Sequence, residues 1–267
     1  MMNEIKPYPY VIAEVGASHD GNRDTAVYLI HEAKAAGCHA VKFQAYDAER
    51  LAGRRHAPGS LQGYRTYEIP FDWYPDLVQC AHALELDFIL SVYDEQDLCM
   101  VHQYADLLKI SSFECRDTRL LRAATKYQKP VIISTGMCVA NELSALRCFR
   151  FTAKVPVYLL HCISAYPAPA AQLGLSAIGK YSLDGFSDHS ANVFSGAVAV
   201  ACGAKILEAH LRGYATGREN PDYAHSLAPD QLVEYVRGAV HAAHAIGSGH
   251  RKLAKCEEPN TAYRVRA

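Results

Sequence analysis

The sequence has no apolar run of membrane-spanning length. The richest, "VFSGAVAVACGA" (193–204), is cut off by Lys205. This predicts no helical membrane span. It has no surplus of either charge, the formal net being −1, so nothing in the balance points to nucleic acid as a partner. The opening "MMNEIKPYPY" contains no apolar stretch of the kind that precedes a signal cleavage site. The nine cysteines include no CxxC pair, and an odd, scattered count reads as reduced thiols in a cytoplasmic protein. Cys115, Cys162 and Cys202 each have the chemistry of a nucleophile, but the spacing favours small buried apolar residues. A glycine-rich phosphate turn after the first strand is also missing, because "EVGASHDGN" has the wrong spacing.

What is present is an alternation of short apolar runs with helical patterns. Strands are predicted at 10–15, 40–44, 86–91, 105–111, 130–135, 155–161, 184–188 and 205–210, each rich in β-branched or aromatic residues. Helical periodicity separates most of them and closes the chain at 229–247. Asp117, Asn141 and Asp230 stand at helix-start positions, and a small-residue helix is predicted immediately after "GFSDHS". Strands that are apolar on both faces and joined by helices imply parallel pairing. Eight such units fit a single-domain (β/α)8 TIM barrel over residues 1–250, with 251–267 as a C-terminal tail. The alternative is a doubly wound open sheet, which the absent phosphate turn weakens.

In a barrel the chemistry collects at the C-terminal ends of the strands. Those ends carry Glu14, Lys42 with Gln44, Ser91, Lys109 with Ser111 and Ser112, Ser134, His161, Ser187 with Asp188 and His189, and Glu208 with His210. Polar groups are costly to bury without partners, so their convergence predicts a polar, ligand-filled mouth. Lys42 and Lys109 lie inside apolar strands, and ammonium groups beside serine hydroxyls suit a phosphate. Their structural alternative is a buried ion pair with Glu14 or Glu208. His189 and His210 end neighbouring strands. Two imidazoles leave coordination positions open, the arrangement of a Lewis-acid metal site, with Asp188 and Glu208 as groups to orient the rings. The structural alternative for each is a hydrogen-bonded core histidine.

The pieces "IAEVGASHDGN", "AVKFQ", "LLKISS", "VIISTGM", "LLHCISAYPAP", "GFSDHS", "GAKILEAHL" and "NPDYAHSLAPDQL" follow one another between residues 12 and 232. In this order they make the chain resemble the N-acetylneuraminate (sialic acid) synthase family of phosphoenolpyruvate-condensing barrels. The resemblance implies a metal-dependent enzyme that joins phosphoenolpyruvate to an aldehyde, forms a 3-deoxy-2-keto acid and releases phosphate. It implies a divalent cation, with Mn2+ expected ahead of Mg2+. Lys42, Lys109, Ser112, Ser134 and Ser187 would bind phosphoenolpyruvate, and His189 and His210 would hold the metal. Glu14, Tyr166, Glu208 and Asp222 would serve catalysis, Gln44 and Ser164 would line the acceptor site, and His161 would support it. A homodimer is implied as well.

Some positions depart from the family pattern. Val92 stands where members carry threonine, and Ser164 where they carry asparagine. Members also continue into a small antifreeze-like domain that grips the acceptor's N-acetyl group, whereas this sequence ends at "EEPNTAYRVRA", near where that domain's linker would begin. The connection 47–70 carries Arg50, Arg54, Arg55, His56 and Arg65 and is long for a strand-to-helix link. It is expected to be a flexible loop folding over the substrate, with Arg54 and Arg55 gripping an anionic acceptor. Other readings of the same residues are another metal-assisted aldolase or isomerase, a non-catalytic barrel acting as a binding or scaffold subunit, and a subunit whose missing domain arrives on a partner chain.

Overall fold

The structure, a computed structural model, describes residues 8–56, 60–247 and 253–265. Eight parallel strands close into a barrel in sequence order: β1 Tyr10–Glu14, β2 Ala40–Ala45, β3 Asp87–Val92, β4 Leu107–Ile110, β5 Val131–Ser134, β6 Val157–Cys162, β7 Gly185–Asp188 and β8 Ile206–His210. The pairing of β1 with β8 completes the ring, with Ile12 opposite Glu208 and Glu14 opposite His210. An open doubly wound sheet is thereby ruled out.

The helices are α1 Arg23–Ala35, α2 Ala48–Arg54, α3 Leu61–Tyr67, α4 Tyr74–Ala83, α5 Glu95–Val101, α6 Thr118–Ala124, α7 Ala140–Thr152, α8 Ala177–Lys180, α9 Ser195–Ala201 and α10 Pro229–Ile246. Asp117 caps α6, its side chain accepting from the Arg119 and Leu120 amides. Asn141 and Asp230 are not caps. They sit within the first turns of α7 and α10, which begin one residue earlier. The helix expected directly after "GFSDHS" starts at Ser195. The intervening turn is held by Asp188, which accepts from the Ser190 amide and the Ser195 hydroxyl, and Ala191 adopts φ +51°.

Side chains alternate across each strand, and this period of two sorts the barrel. Phe43, Phe88, Leu90, Ile133, Phe186 and Leu207 face the helices and form the main core. Tyr10, Ile12, Ala40, Ile89, Leu107, Ile132, Leu160 and Ile206 fill the barrel interior as a second cluster. Two residues further along, on the same inner face, the apolar layer gives way to Glu14, Lys42, Ser91, Lys109, Ser134, Cys162, Ser187 and Glu208. A packed apolar floor thus carries a polar layer above it.

Candidate active site

The polar layer lines a cavity of about 380 Å³ at the C-terminal mouth of the barrel. A larger groove of about 1280 Å³ lies outside the barrel between α6 and α7. The buried ionisable groups converge on the mouth, which is where a site of this fold is expected.

Lys42 is saturated with partners. Its ammonium lies 2.8 Å from Glu14 Oε2 and 3.6 Å from Glu208 Oε1, and donates to Ser91 Oγ at 2.9 Å. Burial pulls its pKa down, but Glu14 and Glu208 outweigh burial and carry it above the usual lysine range. Gln44 donates to the other oxygen of Glu14 at 2.8 Å. Lys109 is poorer in partners: Glu208 Oε1 stands 3.4 Å away, and burial, with Lys42 adding to it, holds its pKa below the ordinary value. Glu208 accepts from Ser187 Oγ at 3.0 Å. Its burial works against charge, yet Lys109, then Lys42 and His210, bring its pKa to about 2. The carboxylate is therefore ionised. Beside Lys109, the Ser112 hydroxyl accepts from the Gly136 amide at 3.0 Å, and the Ser134 hydroxyl has no hydrogen-bond partner. Val92 is packed among the outward-facing apolar residues, while Ser91 faces the mouth, so the strand-three hydroxyl belongs to Ser91.

The opposite rim carries imidazoles. His210, Asp222 and His225 bring one potential ligand atom each within 4.8 Å of one another. The His189 ring lies 5.3 Å from that of His210 and 6.1 Å from that of His225, and Tyr166 covers His189 at 4.4 Å. His189 Nδ1 donates to the Ile163 carbonyl at 2.9 Å, which leaves Nε2 with its lone pair. Burial lowers the pKa of His189 and, together with His210, that of His225 to about 3, so both rings are neutral. Burial opposes the charge of Asp222, but the adjacent His210, then His225 and the Ala17 amide at 2.8 Å, bring its pKa to about 2. His210 Nδ1 and both His225 nitrogens are buried without a hydrogen bond among the described residues. The His210 and His225 imidazoles, with ring nitrogens left without hydrogen bonds among the described residues, form beside the ionised Asp222 carboxylate a donor set that fits a divalent transition metal.

Asp222 arrives on the 220s loop, which is tied to the loop after β1. Asn220 donates to the Ala17 carbonyl at 2.9 Å and accepts from the Asp222 amide at 2.9 Å. Gly16 is required here. It adopts φ +52°, and a Cβ would overlap the Asp222 carboxylate.

Several expected positions fall elsewhere. Neither Asp188 nor Glu208 orients a histidine: Asp188 points outward into the turn before α9, and Glu208 faces the lysines. His161 is also outward, stacked on Phe186 and paired with the Leu173 carbonyl at 2.6 Å. Ser164 is half-buried, and its unpartnered hydroxyl packs against the Gly136 backbone. The segment after β2 folds into α2 and α3 instead of a flexible loop, except that 57–59 lie outside the described residues. Its arginines diverge. Arg50 is bound by Asp94 and Asp97, Arg54 pairs with Asp117 at 2.8 Å away from the mouth cavity, and Arg65 pairs with Glu49. Arg55 alone of these reaches the mouth, with its guanidinium 4.6 Å from the Phe113 ring centre and 5.3 Å from that of Tyr93. His225 was given no role from the sequence. It sits in "NPDYAHS", where no strand or helix period flags it.

The NeuB family model matches residues 29–251. The chain belongs to the NeuB family. It is 30% identical to the N,N'-diacetyllegionaminic acid synthase of Legionella pneumophila, with 97% of this chain and 80% of that protein aligned. The human N-acetylneuraminate-9-phosphate synthase is 29% identical over 93% of this chain and 74% of its own length. Among solved structures, the N-acetylneuraminic acid (sialic acid) synthetase of Leptospira borgpetersenii, in complex with citrate, superposes with a TM-score of 0.87 at 29% identity. That match covers 99% of this chain and 95% of the Leptospira chain. No helix among the described residues is long and apolar enough to cross a membrane.

Proposed function

We propose that this NeuB family member is a phosphoenolpyruvate-dependent synthase, a carbon–carbon bond-forming transferase that condenses phosphoenolpyruvate with a sugar-like aldehyde. The product is a 3-deoxy-2-keto acid, and inorganic phosphate is released. The observation that carries this reading is the underpaired Lys109 ammonium beside the Ser112 and Ser134 hydroxyls, in a cavity whose other side is built of the His189, His210 and His225 imidazoles. A phosphorylated acid completes the first group and an aldehyde oxygen suits the second.

Lys109 and Lys42 neutralise phosphoenolpyruvate, and Ser112, Ser134 and Ser187 donate hydrogen bonds to it. His189 and His210, with Asp222 and His225 next to them, would hold a divalent metal, Mn2+ being expected, and that ion would supply Lewis-acid polarisation of the aldehyde. The methylene carbon of phosphoenolpyruvate attacks the aldehyde carbon, and positive charge develops at the carbon bearing the phosphate. Ionised Glu208 lies on that side and stabilises the charge. Glu14 or Glu208 steers the water that adds there, and the tetrahedral adduct expels phosphate. Tyr166 covers His189 and keeps bulk water from this edge. Gln44, Ser164 and Arg55 face the acceptor. Arg55 pairs with Glu114 at 3.2 Å, but its Nε makes no hydrogen bond among the described residues, so it is the cation suited to an anionic handle on the acceptor.

The test is phosphate release from phosphoenolpyruvate with manganese across a panel of neutral and phosphorylated aldehydes. The expected result is phosphate and 2-keto acid in equal amounts with at least one acceptor. Tight phosphoenolpyruvate binding without phosphate release from any aldehyde would favour a binding or scaffold subunit instead.

A further inference from the structure

Outside the mouth, two sulfurs touch. Cys115 Sγ lies 3.3 Å from Cys138 Sγ. Cys115 is buried on the loop after β4, and Cys138 is half-buried on the loop after β5. These loops also build the phosphate side of the mouth. Ser112 precedes Cys115 by three residues, Gly136 precedes Cys138 by two, and the Gly136 amide donates to the Ser112 hydroxyl at 3.0 Å. There is no slack between them, since a Cβ on Gly136 would stand 2.8 Å from Ser112 Oγ and overlap Ser164 Oγ. Met137, between Gly136 and Cys138, is held at φ +64°, in the left-handed region that is strained for a residue with a side chain.

We propose that Cys115 and Cys138 are a reversible dithiol/disulfide pair whose closure displaces the Ser112 and Gly136 loops and so weakens phosphate binding at the mouth. The last clause rests on the phosphoenolpyruvate reading above. A disulfide needs its sulfurs about 2.05 Å apart, so the two sulfurs must approach by about 1.2 Å, drawing on the tightly packed loops that carry them. The oxidant is a small-molecule disulfide. The Cys138 thiolate attacks one of its sulfurs and expels the first thiol, then Cys115 attacks Cys138 Sγ and expels the second. One disulfide is consumed and one is made, and the protons of both cysteines end on the two departing thiols. The Cys115 S–H hydrogen bond lowers the pKa of Cys138, which makes Cys138 the attacking thiol. The attacking sulfur can be reached because Cys138 is only half-buried, whereas Cys115 is buried and lines the outer groove between α6 and α7 with the basic Arg116, Arg122, Lys126 and Lys154.

The test treats the purified chain with oxidised glutathione and maps disulfides by mass spectrometry. Hydrogen exchange of peptides covering 111–117 and 134–139 and calorimetric phosphoenolpyruvate affinity are then read before and after treatment. The expected results are a Cys115–Cys138 cross-link, altered exchange in both peptides, and affinity at least tenfold weaker that dithiothreitol restores. Cys138→Ser and Cys115→Ser should keep the reduced affinity after the same treatment. Glutathionylation of exposed Cys148 or Cys256 without the Cys115–Cys138 cross-link overturns the proposal, and so does a cross-link that leaves exchange and affinity unchanged. If the reduced chain does not bind phosphoenolpyruvate, the functional reading fails, while cross-link and exchange still decide the pair.

Discussion

The two walls of the mouth differ in how far the protein satisfies its own charges. On the β1–β2–β8 side, Lys42, Glu14, Gln44, Ser91 and Glu208 form a connected set of contacts between 2.8 and 3.6 Å, with Glu208 Oε2 left without a hydrogen bond among the described residues. On the β4–β5 side, Lys109 has Glu208 alone at 3.4 Å, and the Ser134 hydroxyl has no partner. A buried charge without adequate partners costs free energy, so the fold carries the second arrangement for the sake of something that completes it. The more fully paired wall shapes the cavity, and the less paired wall, with the imidazole rim, has polar groups left to offer a ligand.

The most severe way to probe this contrast is at the rim. His210→Ala should abolish phosphate release and lower the manganese content measured by mass spectrometry, with the circular dichroism spectrum unchanged. Near-normal turnover in the presence of a chelator would remove the metal from the proposal.

The two lysines sharpen the comparison directly. Lys109→Met should weaken phosphoenolpyruvate binding by about 1.5–3 kcal/mol per charged hydrogen bond lost, with little loss of fold stability. Lys42→Met should also destabilise the fold, by about 3–5 kcal/mol, because Glu14 is left buried without its cation. Calorimetric titrations and urea unfolding of both variants would separate the two effects. Equal stability losses would erase the distinction between the walls.

A smaller difference is expected between neighbouring arginines. Arg55→Ala should raise the KM for a phosphorylated acceptor about tenfold, the effect of about 1.4 kcal/mol, and leave phosphoenolpyruvate affinity unchanged. Arg54→Ala should do neither, since Arg54 pairs with Asp117. Steady-state kinetics of the two variants decide it, and efficient turnover of an uncharged acceptor by both would show that no anionic handle is needed.

A further effect concerns pH and acts on stability alone, behind the rim. Burial lowers the pKa of His19 to about 4, and its Nδ1 accepts from the Gly21 amide at 3.1 Å. The folded state therefore prefers the neutral ring. Stability is full above the unfolded pKa of about 6.5 and falls as the pH drops from there towards 4, by about 2 kcal/mol between pH 7 and 5. His19→Asn should flatten this dependence in urea titrations at the two pH values. An unchanged slope would assign the acid sensitivity to other groups.

The barrel was legible because each strand repeats one short pattern. An apolar residue two positions before a polar one, as in Ile12–Glu14, Leu107–Lys109 and Ile206–Glu208, gives both the inward face and the height in the barrel. Lys42, Lys109 and Ser134 could be read to the mouth in this way, and Ser187, His189 and His210 continue the same inward face at the ends of β7 and β8. Other positions depend on geometry that periodicity does not carry. His225 enters from an irregular segment brought in by the Leu211–Leu227 bridge and by Asn220. Arg54 and Arg55 are adjacent in sequence, yet at the end of α2 successive side chains are rotated by about 100°, so they face different surfaces. The start of α2 did carry a signal, since Asp47 caps it by accepting from the Arg50 amide, but the length of the connection suggested a loop.

The tie between Asn220 and Ala17 spans 203 positions of the chain, and β8 closes against β1 over a similar distance. At ribosomal rates of about 5–20 residues per second, the first strand is made about 10–40 s before the loop that secures it. Throughout that interval β1 has one open edge, and the carboxylate of Glu14 waits for its cation on β2 and its neighbour on β8. Catalytic competence is therefore the last property this chain acquires during synthesis. A ribosome stalled before residue 206 leaves an unclosed sheet that also lacks Asp222 and His225, a fragment more suited to chaperones and proteases than to substrate.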